Sequence, residues 1–298
     1  MRRELVEATR LLRNTDPESV SEAIRLLQNT VYSFSMKVCG HTEDAEDTTQ
    51  EVLLRSLPHL AKIQEPRALT VWLYTAARNR CWRMRRRTAD APKETLSLDE
   101  LMPDESELGL LLQDTKASPE NRYLQSEQDH FVHKAILNIP PRYRMVLVLH
   151  DIEDLDTNQI AKVLDIQPGT VRVRLHRARL SVRKEMTRLL EEIPSHFMPG
   201  SRRQFNEQSQ VRRRPAECRE LFANLSEYLD GKVKGQTCEE MREHLEACPS
   251  CIVFIRDLRQ AIDRCRTLKM KCESQMAPRL RSMLTEEYLR LLGTPVLK

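Results

Sequence analysis

The stretch EDLDTNQIAKVLDIQPGTVRVRLHRARLSVRKEM, residues 153–186, predicts two helices joined by a tight turn. Thr157 can cap the first helix, because its hydroxyl can accept a hydrogen bond from an N–H group of the first turn. Small Ala161 stands where the two helices have to approach closely, and residues 165–168 form a turn whose isoleucine would plug the core beneath it. Thr170 then starts the second helix. This combination is typical of a helix-turn-helix.

The second helix of this motif separates apolar from basic residues. Val171, Leu175 and Ala178 recur at three- and four-residue steps and predict its buried face. Residues 169–188 contain seven Lys or Arg and one acid, whereas a solvated face without a partner usually mixes the two signs. Arginines on a helix in the major groove can contact guanine and the flanking phosphates. The candidate DNA-contacting residues are Thr170, Arg172, Arg174, His176, Arg177 and Arg179.

Charge divides the rest of the chain. Residues 78–87 contain six Arg and no acid, while residues 90–129 contain eleven acids and three bases. The acidic stretch has few aromatic residues, so we expect a linker that does not bury enough apolar surface to order fully. The sequence predicts five segments: a first helical block at 1–88, an acidic linker at 89–120, a second helical block at 121–192, a basic linker at 193–215 and a third block at 216–298.

The first block predicts amphipathic helices. A helix that begins near Thr42 carries acids in its first turn, where the helix dipole favours negative charge, and this alone explains them structurally. A functional explanation is that the exposed face of this helix docks a partner. The residues of that face are Asp44, Asp47, Gln50, Glu51 and Arg55.

Residues 66–87 place aromatic side chains beside clustered arginines. Bases of single-stranded DNA stack on aromatic rings while arginines neutralise the phosphates, so this stretch suits single-stranded DNA. Trp72 is expected in the core, whereas Tyr74 and Trp82 fit either the core or a stacking platform.

The third block carries cysteines and a histidine at a spacing that suits zinc. Cys218, His244, Cys248 and Cys251 supply four ligands, the number that a closed tetrahedral Zn2+ site needs, and Cys238 competes for the fourth position. A lone CPSC motif could be a redox pair, but the upstream histidine and cysteine favour zinc. Four protein ligands leave no position for a reactive water, so we expect no enzymatic activity.

The composition agrees with an all-α protein. Only 7 of the 298 residues are Gly, and neither a GxGxxG nor a GxxxxGK[ST] string occurs. No apolar run approaches the ~18 residues of a membrane-spanning helix, and the N-terminus lacks the apolar core of a signal peptide. We therefore expect a cytoplasmic protein that contacts no membrane and takes no small-molecule substrate.

Four stretches carry a family resemblance: DAEDTTQEV (44–52), WLYTAARN (72–79), IPPRYRMVLVLHDIEDL (139–155) and QIAKVLDIQPGTVRVRLHRAR (159–179). Through these motifs the chain resembles the extracytoplasmic-function (ECF) sigma factors of the sigma-70 family over roughly residues 20–190. The stretch from Cys218 to Cys251 resembles a zinc-binding anti-sigma domain, and that resemblance favours Cys218 over Cys238 as the fourth ligand.

This resemblance implies a role for each block. The first block would be region 2, a helical bundle that binds core RNA polymerase through the helix around Asp44. The second would be region 4, whose helix-turn-helix reads the −35 promoter element as duplex. Val173 stands where a small polar residue is usual, so the promoter sequence does not transfer. Some residues are expected at the melted −10 element because of the resemblance, and others because they lie in the arginine cluster. They are Lys62, Arg67, Tyr74, Arg78, Asn79, Arg80, Trp82 and Arg83.

The expected function is promoter-specific transcription initiation through core RNA polymerase. A long tether precedes the third block, and we expect this block to contact the sigma blocks of the same chain and to inhibit in cis. A second hypothesis is that the zinc site senses thiol oxidation, with structural zinc as the alternative. A protein of a different class, an operator-binding regulator, would use only the helix-turn-helix and bind duplex DNA without polymerase.

Overall fold

The structure of the protein is a computed structural model, and every regular element in the residues that it describes is helical. The expected all-α class is confirmed. The described residues are 3–14, 16–60, 62–63, 65–85, 96–101, 109, 111, 121–191, 225–232, 239–243, 248–268, 270 and 277–293.

The chain divides into two compact units. The first comprises Met1–Ala91, Val148–Pro168 and Lys269–Lys298, and the second comprises Pro92–Leu147 and Gly169–Leu268. The α-helices are α1 (Arg3–Leu11), α2 (Pro17–Cys39), α3 (Thr42–Leu60), α4 (Pro66–Arg85), α5 (Leu98–Leu101), α6 (Asn121–Asn138), α7 (Pro141–Leu147), α8 (Thr157–Leu164), α9 (Pro168–Glu191), α10 (Leu225–Leu229), α11 (Pro249–Thr267) and α12 (Ala277–Leu291). A π-helical segment, Val148–Ile152, lies between α7 and α8.

Helix α2 is the centre of the first unit and packs against α1, α3, α4 and α12. It begins after Asp16, whose carboxylate accepts a hydrogen bond from the Ser19 N–H at 2.8 Å, with Pro17 at the first helical position. It ends where Gly40 adopts a left-handed conformation (φ 86°) and donates its N–H to the Met36 carbonyl. Its buried apolar residues include Ile24, Leu27, Val31, Phe34 and Val38, as the periodicity predicts.

The C-terminal helix α12 belongs to this first unit and packs against α2 and α3. Leu284 and Tyr288 are buried, and the Tyr288 hydroxyl donates a hydrogen bond to the Leu12 carbonyl at 3.2 Å. Residues of the third block therefore share a core with the helices of the first block.

Helix α8 is the first helix of the predicted helix-turn-helix. Its cap is Asp156, whereas the sequence predicts Thr157. The Asp156 carboxylate accepts hydrogen bonds from the N–H groups of Asn158 and Gln159, both at 2.9 Å, and the Gln159 side chain accepts one from the Asp156 N–H at 3.0 Å. This reciprocal capping box satisfies donors at both positions, which a lone Thr157 hydroxyl would not. Ile166, expected as a buried plug, is only half-buried.

The second helix of the motif, α9, starts at Pro168, two residues before the expected Thr170, because proline is favoured at the first helical position. Its predicted apolar face is confirmed, since Val171, Leu175 and Ala178 are buried. The boundary between the two units falls after Pro168, so α8 and most of α9 lie in different units.

The core of the second unit joins α9 to α11. Leu180 of α9 lies in one cluster with Phe254, Leu258 and Ile262 of α11, and Leu101 of the acidic linker joins them. Leu101 and Leu111 of the expected acidic linker are both buried. Most of residues 89–120 lie outside the described residues, so the expectation that this linker does not order fully stays a prediction. Scattered leucines among acids bury apolar surface once a helix covers them, and composition does not reveal that cover.

The junction between α6 and α7 confirms the break predicted at Pro140-Pro141, since α6 ends at Asn138 and α7 begins at Pro141. Arg144 is buried at this junction and donates hydrogen bonds to the carbonyls of Leu137 and Ile139. Its guanidinium thus satisfies carbonyl groups that the end of α6 leaves without a helical partner.

Candidate nucleic-acid interface

The predicted partner-binding face of α3 is open. Asp47, Gln50 and Arg55 are exposed, while Asp44 and Glu51 are half-buried. Leu54, on the same helix, keeps 41% of its surface exposed. A leucine beside charged residues on an exposed helix face can contribute to a protein-binding surface.

The Glu51 carboxylate links this face to the arginines of α4. It lies 2.8 Å from Arg55 on its own helix, 2.7 Å from Arg80 and 3.5 Å from Arg83. One carboxylate thus pairs with a residue of the predicted polymerase face and with two residues of the predicted −10 interface. Sequence reasoning placed Glu51 on the first surface only.

Most of the expected −10 residues are accessible. Lys62, Arg67, Asn79 and Arg83 are exposed, and Trp82 keeps 44% of its surface exposed. Arg78 and Arg80 are half-buried, and burial lowers the pKa of Arg78 while the nearby Asp165 carboxylate opposes that shift. Trp82 therefore fits a stacking platform. Trp72, expected in the core, is half-buried and contacts the His59 ring at 5.0 Å between centroids.

Tyr74 does not fit the stacking role in this conformation, because only 1% of its surface is exposed. Its ring meets Phe34 edge-on at 5.0 Å, and its hydroxyl donates a hydrogen bond to Glu153 at 2.6 Å. Tyr74 is a core residue in this structure, and its contact with the −10 element stays a prediction.

Glu153 is the centre of a buried polar cluster that sequence reasoning missed. Its side chain is fully buried, accepts the Tyr74 hydrogen bond on one oxygen and pairs with Lys37 at 3.1 Å on the other. Lys37 is also fully buried and donates to Ser33 at 2.8 Å. All four residues belong to the first unit, where the segment after α7 packs on α2 and α8 packs on α4. A lone Glu in sequence gives no signal of a partner 116 positions away.

In the second unit, the first turn of α9 remains accessible. Thr170 and Arg172 are exposed, and Val173 keeps 58% of its surface exposed. Arg172 forms an ion pair with Glu227 of α10 at 3.1 Å, which is partly exposed and weak for that reason. Arg174 and Arg177 are half-buried.

Farther along α9, the expected DNA-contacting residues His176 and Arg179 are buried, which corrects the prediction of an exposed face. Arg179 donates hydrogen bonds to the Ser226 carbonyl at 3.2 Å and to Asp230 at 2.8 Å. His176 Nδ1 lies 3.1 Å from the Ser226 hydroxyl. Burial, reinforced by the charges of Arg179 and Arg177, lowers the pKa of His176 to about 4, so the ring is neutral at pH 7.

One turn later, Arg183 forms a fully buried ion pair with Asp257 of α11. Its Nε and terminal nitrogen donate to the same carboxylate oxygen at 3.0 and 2.8 Å, and the other oxygen accepts the Leu111 N–H at 3.0 Å. Burial raises the pKa of Asp257, although Arg183 and the Leu111 hydrogen bond favour its charged form. The basic composition of α9 predicts an anionic partner for Arg183. It does not indicate that this partner is Asp257 of the same chain.

Two of the four expected zinc ligands lie in the described part of the chain. Cys248 is the residue before α11, Cys251 is buried in its first turn, and the Cys251 N–H donates to the Cys248 carbonyl at 3.1 Å. Thiolates are favoured at a helix N-terminus, so this turn suits two ligands of a shared zinc ion. Cys218, His244 and the competitor Cys238 lie outside the described residues. Within the described ranges, no group of three candidate ligands could hold a metal ion.

Comparison with known proteins decides the family. Residues 23–90 match the family "Sigma-70 region 2", and residues 132–182 match "Sigma-70, region 4". The chain carries regions 2 and 4 of the sigma-70 family. A third match, to the family described as "Putative zinc-finger", spans residues 218–251 of this sigma factor, from the first expected zinc ligand to the last.

The sigma factor is similar to several curated bacterial sigma factors. The ECF RNA polymerase sigma factor SigW of Bacillus subtilis is 27% identical over 180 residues, which cover 57% of this chain and 90% of the relative. The ECF RNA polymerase sigma factor SigE of Mycolicibacterium smegmatis is 31% identical over 166 residues, 55% of this chain and 60% of the relative. The RNA polymerase sigma factor YlaC of B. subtilis is 25% identical over 175 residues, 59% of this chain and 96% of the relative.

Family membership settles the class of function. Sigma factors are transcription initiation factors without enzymatic activity, and the operator-binding alternative is not favoured. No helix in the described part of this sigma factor combines the length and apolarity that a membrane span requires.

Proposed function

We infer that this sigma factor binds core RNA polymerase and directs promoter-specific transcription initiation in the cytoplasm. The open face of α3, from Asp44 to Arg55, would bind the polymerase, because it combines charged residues with the exposed Leu54. The basic, partly aromatic face of α4 would hold the melted −10 element, and the first turns of α9 would read the −35 duplex.

We further propose that the third block inhibits DNA recognition in cis. The observation that carries this proposal is the burial of Arg179 and Arg183 of α9 in ion pairs with Asp230 and Asp257. A carboxylate that holds a guanidinium occupies the donors that would otherwise contact a base or a phosphate. The two aspartates thus take the place of DNA for the later turns of the recognition helix.

The contrast between α3 and α9 supports an order of events. Asp47, Gln50 and Arg55 are exposed, so the polymerase face is accessible while Arg179 is occupied. We propose that polymerase binds first and that release of α9 from the third block follows, because region 4 cannot engage the −35 duplex with these donors buried.

We propose that one zinc ion bound by Cys218, His244, Cys248 and Cys251 holds the third block in shape. The turn that brings Cys248 and Cys251 together at the start of α11, the helix that carries Asp257, supports this proposal. Zinc would supply a fixed tetrahedral junction at this point, and the four side chains would orient the start of α11.

Two experiments test the function. The full-length protein should bind core RNA polymerase in a pull-down, whereas an operator-binding regulator would bind duplex DNA and leave polymerase unbound.

Deletion of residues 205–298 should raise promoter-specific transcription in vitro. Because this deletion also removes α12 from the core around α2, the variant Asp230→Ala is the sharper test, and it should raise transcription with the first unit intact. Unchanged or lower activity in both would refute cis inhibition.

A further inference from the structure

Cys39 and Cys81 are brought together within region 2. Cys39 is the last residue of α2 and is half-buried, whereas Cys81 lies in α4 with 1% of its surface exposed. Their Sγ atoms are 2.6 Å apart, closer than two sulfur atoms in simple van der Waals contact. The Thr48 hydroxyl of α3 lies 4.0 Å from the Cys81 sulfur and closes the other side.

This geometry needs little change to form a bond. A disulfide has a sulfur–sulfur length of about 2.05 Å, so the two atoms need to approach by only about half an ångström. Both residues sit on long helices of one unit, which hold the two sulfur atoms in place before any reaction. We propose that Cys39 and Cys81 form a reversible thiol–disulfide site that ties the end of α2 to α4 when the protein meets a peroxide.

The difference in burial assigns the two thiols different roles. The thiolate of half-buried Cys39 attacks one oxygen of hydrogen peroxide, which breaks the O–O bond, gives a sulfenic acid and releases hydroxide. The Cys81 thiolate then attacks the Cys39 sulfur, so that the S–S bond forms and the sulfenic oxygen leaves as hydroxide. The two thiol protons neutralise the two hydroxides. In total, two thiols are oxidised by two electrons and one peroxide is reduced to two waters, and a dithiol reductant reverses the step.

The site lies inside the segment of α4 that carries the expected −10 residues. Asn79 and Arg80 precede Cys81, and Trp82 and Arg83 follow it. A cross-link at Cys81 therefore fixes this segment to α2 and closes a loop across the 42 positions that separate the two cysteines. Cross-linking a loop of this length restricts the unfolded chain, so oxidation protects region 2 against unfolding. This site is separate from the zinc ligands of the third block, and it holds whether or not the third block inhibits.

The test treats the full-length protein with hydrogen peroxide and digests it with trypsin without reduction. Trypsin releases Cys39 in the peptide 38–55 and Cys81 in the peptide 81–83. We expect these peptides to be recovered as one linked species, lighter by two hydrogen atoms than the two together, that separates on treatment with dithiothreitol. We also expect the melting temperature of the oxidised protein to exceed that of the reduced protein by roughly 5–10 °C.

Matched variants separate this site from other thiol chemistry. Cys39→Ser should abolish both the linked peptide and the temperature difference, and it places the change at the more accessible end of the pair. Cys265→Ala, a buried cysteine of α11, should leave both effects intact. Recovery of Cys39 as a sulfinic acid with peptide 81–83 unlinked, or linkage of Cys39 to Cys248 or Cys251, would overturn the proposal. An equal melting temperature in both redox states would overturn the stabilising role.

Discussion

Replacing Asp257 with alanine should release α9 from the third block. In the wild-type protein the Asp257 carboxylate accepts two hydrogen bonds from fully buried Arg183 and one from the Leu111 N–H. The variant leaves a guanidinium and an amide in the core without this acceptor. Removing one partner of a buried ion pair costs about 3–5 kcal/mol, so the ratio of released to docked α9 should rise by roughly 100-fold or more.

The assay measures the affinity of the full-length protein for a fluorescently labelled random-sequence duplex by anisotropy at low salt. Releasing the arginines of α9 should tighten binding until the released form predominates, with a limit near the same roughly 100-fold. Hydrogen exchange of α11 should rise in parallel, because this helix loses its contact with Leu180 and Arg183.

Two further variants make the result specific. Asp263→Ala removes a carboxylate from the same helix, but its side chain is 69% exposed and lies 3.7 Å from Arg266, so DNA affinity should not change. Replacing the pair together, Arg183→Met with Asp257→Leu, fills the same space with apolar groups and should restore docking. Wild-type DNA affinity and exchange in a folded Asp257→Ala protein would refute the proposed role of the ion pair.

Three other predictions concern His176, the buried Glu153–Lys37 pair and the expected zinc ligands. His176 has a pKa of about 4 while α9 is docked on the third block, and an ordinary pKa near 6.5 once α9 is released. The released form therefore binds more protons between pH 4 and pH 6.5. The docked form keeps its full stability above pH 6.5 and loses stability as the pH falls below that value. Lowering the pH from 7.5 to 5.5 should increase duplex binding attributable to release about tenfold, and His176→Gln should remove this increment, measured by anisotropy at both pH values. Glu153→Gln leaves the buried Lys37 charge without its carboxylate and should lower stability by about 3 kcal/mol in thermal unfolding, whereas exposed Glu43→Gln should not; equal melting temperatures would contradict the buried pairing. Metal analysis should find one zinc ion per chain in the wild-type protein and none in the Cys248→Ser variant. Removal of zinc with a chelator should increase duplex binding. Full zinc content in the variant would rule out Cys248 as a ligand.

Local pattern predicted the parts of the fold that depend on local physics. The buried stripe of Val171, Leu175 and Ala178 follows from helical periodicity, and the break at Pro140-Pro141 follows from backbone chemistry. The cap of α8 was misplaced by one residue because Asp156 and Thr157 are adjacent and both can cap, and only the structure shows which one has the extended backbone.

Periodicity and composition did not predict which charged residues are buried. A basic face such as that of α9 predicts an anionic partner, but Arg179 pairs with a residue 51 positions away and His176 contacts one 50 positions away. Tyr74 was left open between core and DNA contact, and the choice depends on Glu153, 79 positions later. The division into regions 2 and 4 follows from motifs, whereas the contacts that bury His176 and Arg179 depend on tertiary packing.

The buried arginines of α9 also affect how the protein moves among other macromolecules. Every arginine that contacts a phosphate releases counterions and strengthens attachment to any stretch of chromosome, whatever its sequence. A chain that holds Arg179 and Arg183 against its own aspartates presents two fewer such cations. A plot of the logarithm of its DNA-binding constant against the logarithm of salt concentration should therefore be less steep by nearly two. Such a molecule should spend less time bound to the large excess of non-specific DNA sites and more time free in solution.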